Sequence, residues 1–215
     1  MTAVCASAIH LCFIRATRLD SLGNPVAGPN NYVCDDTPMM LTITPDILAG
    51  EVKDLKGGCD QLVATYRGQD ILKRFNLELD MGKTLPALEE LLTGGSAIVD
   101  DDGEPIGVQF QVPCGSQQPY VAFEAWQDLW DCDHQPSAPY PYRRWVFPAS
   151  RWQRGPETLQ NDFDQPKFTG FSVANDNWGE GIYDDLTAAV GKNGQWFFDT
   201  ELPTALCGWG SQPIT

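Results

Sequence analysis

The chain has few basic residues. Its 215 residues include 14 Lys and Arg against 29 Asp and Glu, which gives a net charge of −15 at pH 7. The excess of acidic over basic residues is greatest in residues 81–142, which contain ten acidic residues and a single basic one, Lys83. A surface of this sign repels phosphate groups, so the composition excludes a protein that grips nucleic acid by electrostatic attraction.

The chain also lacks active-site signatures. It contains no Gly-x-Ser-x-Gly element, no phosphate-binding loop and no dinucleotide-binding glycine pattern. Only two histidines, His10 and His134, are present to act as bases. We therefore expect neither catalysis nor a cofactor.

Long apolar segments are missing as well. No run is long enough to cross a membrane, and the first 18 residues lack the basic start of a signal peptide. We therefore predict no membrane association.

Paired cysteine motifs are absent. The seven cysteines are an odd number, and no two are spaced as Cys-x-x-Cys. This pattern favours reduced thiols in a cytosolic-type environment over a disulfide framework, and small buried side chains over reactive ones. The cysteines are Cys5, Cys12, Cys34, Cys59, Cys114, Cys132 and Cys207.

What the chain does contain is a series of strand-like segments separated by scattered Pro and Gly. The clearest is residues 71–80, where Phe75, Leu77 and Leu79 alternate with a polar set that ends in Asn76, Glu78 and Asp80. Further strands are predicted at 15–20, 39–44 (ended by Pro45), 61–67, 97–112 (a hairpin), 120–130, 142–152 (bent or placed at an edge by Pro148), 165–175 and 194–199. Many strands without βαβ alternation predict a mainly β (α+β) fold, an antiparallel sandwich or barrel, in one domain over residues 1–215.

One helix is predicted, over residues 84–93. Thr84 is the candidate N-cap and Pro86 lies close to the first turn. Leucines at 85, 88, 91 and 92 form one apolar stripe, and Gly94 or Gly95 can end the helix. Because the helix is short, it must be held by packing on the outside of the sheet.

Two acidic clusters could suggest a metal. Asp100, Asp101, Asp102 and Glu104 do not have the oxygen spacing of a calcium loop, so an exposed turn of a hairpin explains them better. The segment 131–134 (DCDH) mixes zinc-ligand types, but no second paired motif accompanies it. We expect no metal site.

Two sugar-directed alternatives remain open. Glu124 and Asp128 lie four residues apart on a Trp-rich strand, as the carboxylates of a glycoside hydrolase could. A carbohydrate-binding sandwich could instead use an aromatic platform, although such rings more often form a core or an interface. The aromatic residues concerned are Trp126, Trp130, Tyr140, Tyr142, Trp145 and Trp152.

The order of several segments resembles the major tail tube proteins of long, non-contractile-tailed bacteriophages, close to those of phages that infect actinobacteria. The segments span most of residues 15–183, and their order rather than any single motif carries the resemblance. They are RLDSLGNPV (18–26), FNLEL (75–79), PALEELLTG (86–94), DDDGEPIG (100–107), EAW (124–126), YRRWVFP (142–148), TG (169–170) and NDNWGEG (175–181).

The resemblance implies a structural virion protein with no active site. Six subunits would form a ring, and stacked rings would form a tube through which genome DNA passes into the host without specific binding. Its partners would be further copies of itself, a tape-measure protein and the terminator or distal-tail proteins. Another tail component of the same fold remains an alternative.

The charge pattern and the predicted loops indicate which residues would face the bore and which would contact neighbouring subunits. We expect Asn76, Glu78 and Asp80 to face the bore, where the carboxylates of Glu78 and Asp80 repel phosphates. The turn formed by Asp100, Asp101, Asp102 and Glu104 is expected in a surface or inter-ring loop. Loop 46–60, an N-terminal arm (about 1–14) and the C-terminal segment (about 185–215) are expected to contact neighbouring subunits.

Overall fold

Antiparallel strand pairing organises the chain. The computed structural model describes residues 6–26, 28, 30–103, 105–110, 118–131, 139–157, 165–177, 191–203 and 208–209. Its strands are β1 (Ala6–Arg18), β2 (Tyr32–Asp35), β3 (Pro38–Leu48), β4 (Val52–Lys56), β5 (Leu62–Arg67), β6 (Ile71–Met81), β7 (Ser96–Val99), β8 (Pro105–Gln109), β9 (Val121–Asp131), β10 (Tyr142–Arg154), β11 (Lys167–Val173), β12 (Gln195–Asp199) and β13 (Gly208–Trp209). The helix α1 covers Pro86–Thr93, and a 3₁₀ turn covers Gly58–Asp60.

Nine of these strands form one sheet in the order β13-β2-β1-β9-β10-β11-β6-β3, with β12 paired beside β10. Two further hairpins, β4–β5 and β7–β8, form separate two-stranded sheets. The large sheet curves so that its edge strand β3 comes close to β1, which encloses a core between its layers. The fold is therefore mainly β and antiparallel, as predicted, and the described residues include one short α-helix.

The core lies on the inner face of this curved sheet. Alternate residues of β6 enter it, and Leu77 and Leu79 are fully buried, as the alternation predicted. Phe123 of β9 packs against Trp152 of β10 with ring centroids 4.8 Å apart. Covering two such rings removes roughly 150–250 Å² of surface each from water, which makes them main contributors to stability.

Helix α1 closes the core by its leucine stripe. Leu88, Leu91 and Leu92 are at most 1% exposed, and the helix contacts β1, β2 and β10. Gly94 ends the helix in the left-handed conformation (φ 74°), as expected for a C-cap glycine. The predicted N-cap at Thr84 is wrong, because Leu85 occupies that position and makes no side-chain cap.

Two strand boundaries differ from the prediction, and the structure decides against an edge position for Pro148. Strand β1 begins at Ala6, so residues 6–14 of the expected N-terminal arm belong to the sheet. Strand β3 continues through Pro45 to Leu48, which the sheet tolerates because β3 is an edge strand and one side of it needs no donors. Pro148 does not place β10 at an edge; it lies in the register shift between β10 and β9 that separates Phe147 from Ser150.

Candidate assembly surfaces

The most prominent surface feature is an arm formed by residues 47–72. The ends of β3 and β6 pair with each other beyond the core, and the β4–β5 hairpin extends from them. Every residue in this range except Gly50 and Gly68 is exposed. The expected loop 46–60 is therefore part of a β-structured arm, whose second strand β5 matches the strand predicted at 61–67.

The base of the arm is held by local bonds. The carboxylate of Asp70 accepts a bond from the Gly50 amide at 2.9 Å and lies 3.2 Å from Arg67 Nη2. The hydrogen bond from the Gly50 amide and the charge of Arg67 lower the pKa of Asp70 below its ordinary value. These contacts bring the two strands of the hairpin together where it leaves the sheet.

Both faces of the arm carry exposed apolar side chains among polar ones. Cross-strand register places Leu55 opposite Ala64 and Lys53 opposite Tyr66, so one face carries Lys53, Leu55, Leu62, Ala64 and Tyr66. The other face carries Val52, Asp54, Val63, Thr65 and Arg67. On the other face Thr65 Oγ1 donates to Asp54 at 2.9 Å. Leu55 and Tyr66 are 61% and 66% exposed. Apolar side chains exposed together in this way are typical of a surface that binds a partner.

The residues predicted to face the bore lie on the outer face of the sheet. Asn76 and Glu78 are exposed, and Asp80 is half-buried beside Lys167, whose Nζ lies 3.4 Å from its carboxylate. The three side chains do share one face, as the alternation predicted. The pairing of Asp80 with Lys167 was not visible in the sequence, because 87 residues separate the two.

This outer face is balanced in charge rather than acidic. Cross-strand register brings Asp46, Glu78 and Asp80 together with three bases from β6, β10 and β11, which are Arg74, Arg151 and Lys167. Threonine and amide side chains occupy much of the remaining surface, which includes a shallow groove of about 350 Å³. Strand β6 taken alone suggests a more negative face than the assembled sheet has.

The acidic turn between β7 and β8 is a surface turn, as expected. Asp100, Asp101 and Asp102 are all exposed. Gly103 supplies the left-handed residue (φ 84°), and its amide donates to Asp100 O at 3.1 Å. Glu104 lies outside the described residues, and the inter-ring role of this turn remains a prediction.

Glu124 is unsuited to glycoside hydrolysis. It is fully buried, and its carboxylate accepts bonds from Arg15 Nε at 2.5 Å and Arg144 Nε at 2.9 Å. Burial by itself would raise the pKa of Glu124, but the charges of Arg144 and Arg15 outweigh it and hold the pKa below its ordinary value. Such a group cannot serve as a general acid near neutral pH.

The six aromatic residues considered for a sugar platform do not share a surface. Trp126 and Trp152 are buried in different clusters, on opposite faces of the sheet. Only Tyr140 of the six is exposed, and it stacks on Phe198 with ring centroids 6.0 Å apart. The rings therefore serve the core first, as their usual role predicts.

The described cysteines are free thiols in three different environments. Cys34 is buried, Cys12 is half-buried and Cys59 is exposed at the tip of the arm, so the expectation of burial is wrong for Cys59. Burial and the nearby charge of Asp128 raise the pKa of Cys12 to about 12. Cys5, Cys114, Cys132 and Cys207 lie outside the described residues.

Metal and membrane features can be assessed only for the described residues. Among them, no group of three or more His, Cys, Asp or Glu side chains could hold a metal ion, and Cys132, Asp133 and His134 lie outside them. Helix α1, the one α-helix in that part of the chain, is too short to span a bilayer. Comparison with protein-family models and with curated proteins gave no match to this chain.

Proposed function

We propose that this protein is a structural subunit that assembles with copies of itself into the tube of a long-tailed phage. The single observation that carries the proposal is the arm at residues 47–72, which exposes several large apolar side chains in the described chain. Fully burying a side chain of this kind stabilises an assembly by about 1.5–3 kcal/mol. Assembly would cover several such side chains at once.

The second support is the chemistry of the outer face of β6. Asn76, Glu78 and Asp80 stand among threonines and amides, with acids and bases in equal number. A polar face without net charge has no excess of cations to hold phosphates. Repeated around a ring, it would line a bore along which DNA slides without specific binding.

The order of the segments that resemble major tail tube proteins also supports the proposal of a tube subunit. The segments that resemble major tail tube proteins include the helix α1, the turn around Asp100, and Thr169 and Gly170 of strand β11. On this proposal the protein resides in the virion tail after assembly in the host cytoplasm. Its partners are further copies in six-membered rings, a tape-measure protein inside the bore, and the terminator and distal-tail proteins at the ends.

Negative-stain electron microscopy of the purified protein, with light scattering over a range of concentrations, tests the proposal. We expect rings and stacked tubes with a continuous bore. Rings that never stack would favour a terminator or distal-tail protein of the same fold. Monodisperse monomers in all conditions, or a bore lined mainly by Lys and Arg, would overturn the proposal.

A further inference from the structure

The groove on the outer face of the large sheet is lined by polar side chains that are not bonded to the rest of the described chain. It has a volume of about 350 Å³ across β6, β10 and β11, which lies within the ~300–1,000 Å³ of typical small-molecule sites. Within the part of the chain that the structure describes, six polar side chains line the groove without making a hydrogen bond or an ion pair. They are Asn76, Glu78, Gln118, Arg151, Gln153 and Thr169.

Arg151 forms one wall of this polar groove. The Cζ of its guanidinium lies 4.0 Å from the centroid of the Tyr120 ring, which holds the side chain in place. Its Nε is buried and has no hydrogen-bond partner among the described residues. A buried donor without a partner is rare in folded proteins, because it loses its bond to water and gains none in return. A ligand that accepts a hydrogen bond here would remove that cost.

Glu78 stands on the opposite wall and is also without an ion pair in the described chain. The other two bases of this face each lie beside a carboxylate, Arg74 at 3.1 Å and Lys167 at 3.4 Å. Arg151 and Glu78 are separated by β11, since register places their strands on either side of it. Two strand spacings of ~4.8 Å lie between the walls, so the two side chains leave room for a ligand between them.

The charges of the polar groove favour a ligand without net charge. An anion would be attracted by Arg151 but repelled by Glu78, and a cation would meet the reverse. An apolar ligand would bury polar groups without giving them partners, at a cost for each of them. A neutral ligand that both donates and accepts hydrogen bonds suits both walls.

Hydroxyl groups have this property, because each donates one hydrogen bond and accepts two. The guanidinium of Arg151 only donates and the carboxylate of Glu78 only accepts, whereas the amides of Gln153 and Asn76 do both. Register sets these side chains in two rows, with Arg151 and Gln153 on β10 and with Asn76 and Glu78 on β6. Each planar group offers two neighbouring positions, which suits adjacent hydroxyl groups on one ring.

We propose that the polar groove binds a neutral saccharide, whose hydroxyl groups are oriented by Arg151 and Glu78. A sugar ring lying over Thr169 of β11 would reach both rows. The site uses none of the aromatic residues from which the sequence suggested a sugar platform. The inference goes beyond the proposed function and does not depend on it, because one chain supplies the whole groove. Duplex DNA is not a ligand of this kind, since Glu78 would face its phosphates.

Binding of the purified full chain to immobilised neutral oligosaccharides of glucose, galactose, mannose and N-acetylglucosamine tests the inference. The best-bound member is then titrated by calorimetry. Arg151→Gln and Glu78→Gln are the groove variants, because each removes one charge and retains a polar side chain. Lys53→Gln and Glu51→Gln are the matched controls, since they remove the same two charges from an exposed pair on the arm. All four variants are first checked for wild-type thermal unfolding.

We expect the wild type and both controls to bind at least one neutral oligosaccharide with equal affinity. Each groove variant should bind it about tenfold more weakly or worse, because a hydrogen bond to a charged group is lost. If Arg151→Gln fails to fold, Glu78→Gln still decides the test, since the side chain of Glu78 is exposed.

Three results would overturn the inference. The first is an absence of binding to every oligosaccharide, and the second is binding that the groove substitutions leave unchanged. The third is a preference for sialylated, anionic oligosaccharides that only Arg151→Gln abolishes, which would indicate an anion site instead. Electron microscopy of the wild type reports separately on assembly, so a protein that binds sugar without forming tubes would contradict the proposed function alone.

Discussion

The carboxylate of Glu124 on β9 is held by the guanidinium of Arg144 on the neighbouring strand β10, both of them buried. Arg15 of β1 donates to the other oxygen of the same carboxylate, so three adjacent strands share one buried charge cluster. Removing one partner of such a cluster is costly, because the remaining charges stay buried without compensation.

Replacing Glu124 by Gln should therefore destabilise the protein strongly. The neutral amide removes the carboxylate that both buried arginines share, although Arg144 also lies 3.5 Å from Asp199. We expect the free energy of unfolding to fall by roughly 3–5 kcal/mol. Urea unfolding at pH 7 measures the change. Glu51→Gln is the control, since that side chain is 73% exposed and, among the described residues, forms an ion pair only with Lys53. Its effect should stay within about 0.5 kcal/mol. Equal midpoints for the two variants would contradict the role of Glu124.

The same cluster predicts a dependence on pH. The pKa of Glu124 is lowered in the folded protein, so its ionised form stabilises the fold above about pH 4.5, the ordinary value of the group. That contribution is lost as the pH falls through the folded-state pKa. Unfolding measured from pH 7 to pH 3 should show a smaller difference between the wild type and Glu124→Gln at the acid end. A constant difference would argue against a buried ionised carboxylate.

Strand β11 contains a glycine that no other residue should replace. A Cβ at Gly170 would lie 2.4 Å from the carbonyl oxygen of Arg151 and 2.8 Å from the ring of Trp152. Because both belong to the neighbouring strand, we expect Gly170→Ala to cost about 1–3 kcal/mol in thermal or urea unfolding. Gly58→Ala is the matched control, since nothing lies within 4 Å of the added Cβ. Tolerance of alanine at Gly170 would show that β10 and β11 are less tightly paired.

Thiol reactivity should separate the described cysteines. Cys59 is exposed on the arm, whereas Cys34 is buried and the pKa of Cys12 is raised to about 12. At pH 8 iodoacetamide should label Cys59 in minutes and leave Cys12 and Cys34 largely unmodified, as read by peptide mass spectrometry. In denaturant all three should react. Labelling of Cys12 at the rate of Cys59 in the native protein would contradict its environment.

Local patterns in the sequence predicted the elements well. The alternation of Phe75, Leu77 and Leu79 identified β6 and its core face, because a strand alone sets which side chains share a side. Leucine spacing identified α1 in the same way, and the residues around Gly103 identified the β7–β8 turn. Each of these features depends on residues close together in the chain.

What lies opposite a side chain was decided by the tertiary structure. The sequence left Glu124 open as a catalytic acid. In the structure its carboxylate is bound by Arg15 and Arg144, which lie 109 and 20 residues away in the chain. The sequence predicted Asp80 to add negative charge to the bore, whereas in the structure Lys167 of β11 lies beside its carboxylate. Pro45 was predicted to end a strand, but β3 continues through it because β3 is an edge strand.

The sequence by itself determined the mainly β class, the strand that bears Asn76 and Glu78, and the large excess of negative charge. The tertiary structure decided that the outer face of the sheet is balanced in charge and that residues 47–72 project as an arm. The physical reason is the same in both cases. Periodicity reports the side on which a residue lies, whereas charge pairing and exposure depend on strands that come together from distant parts of the chain.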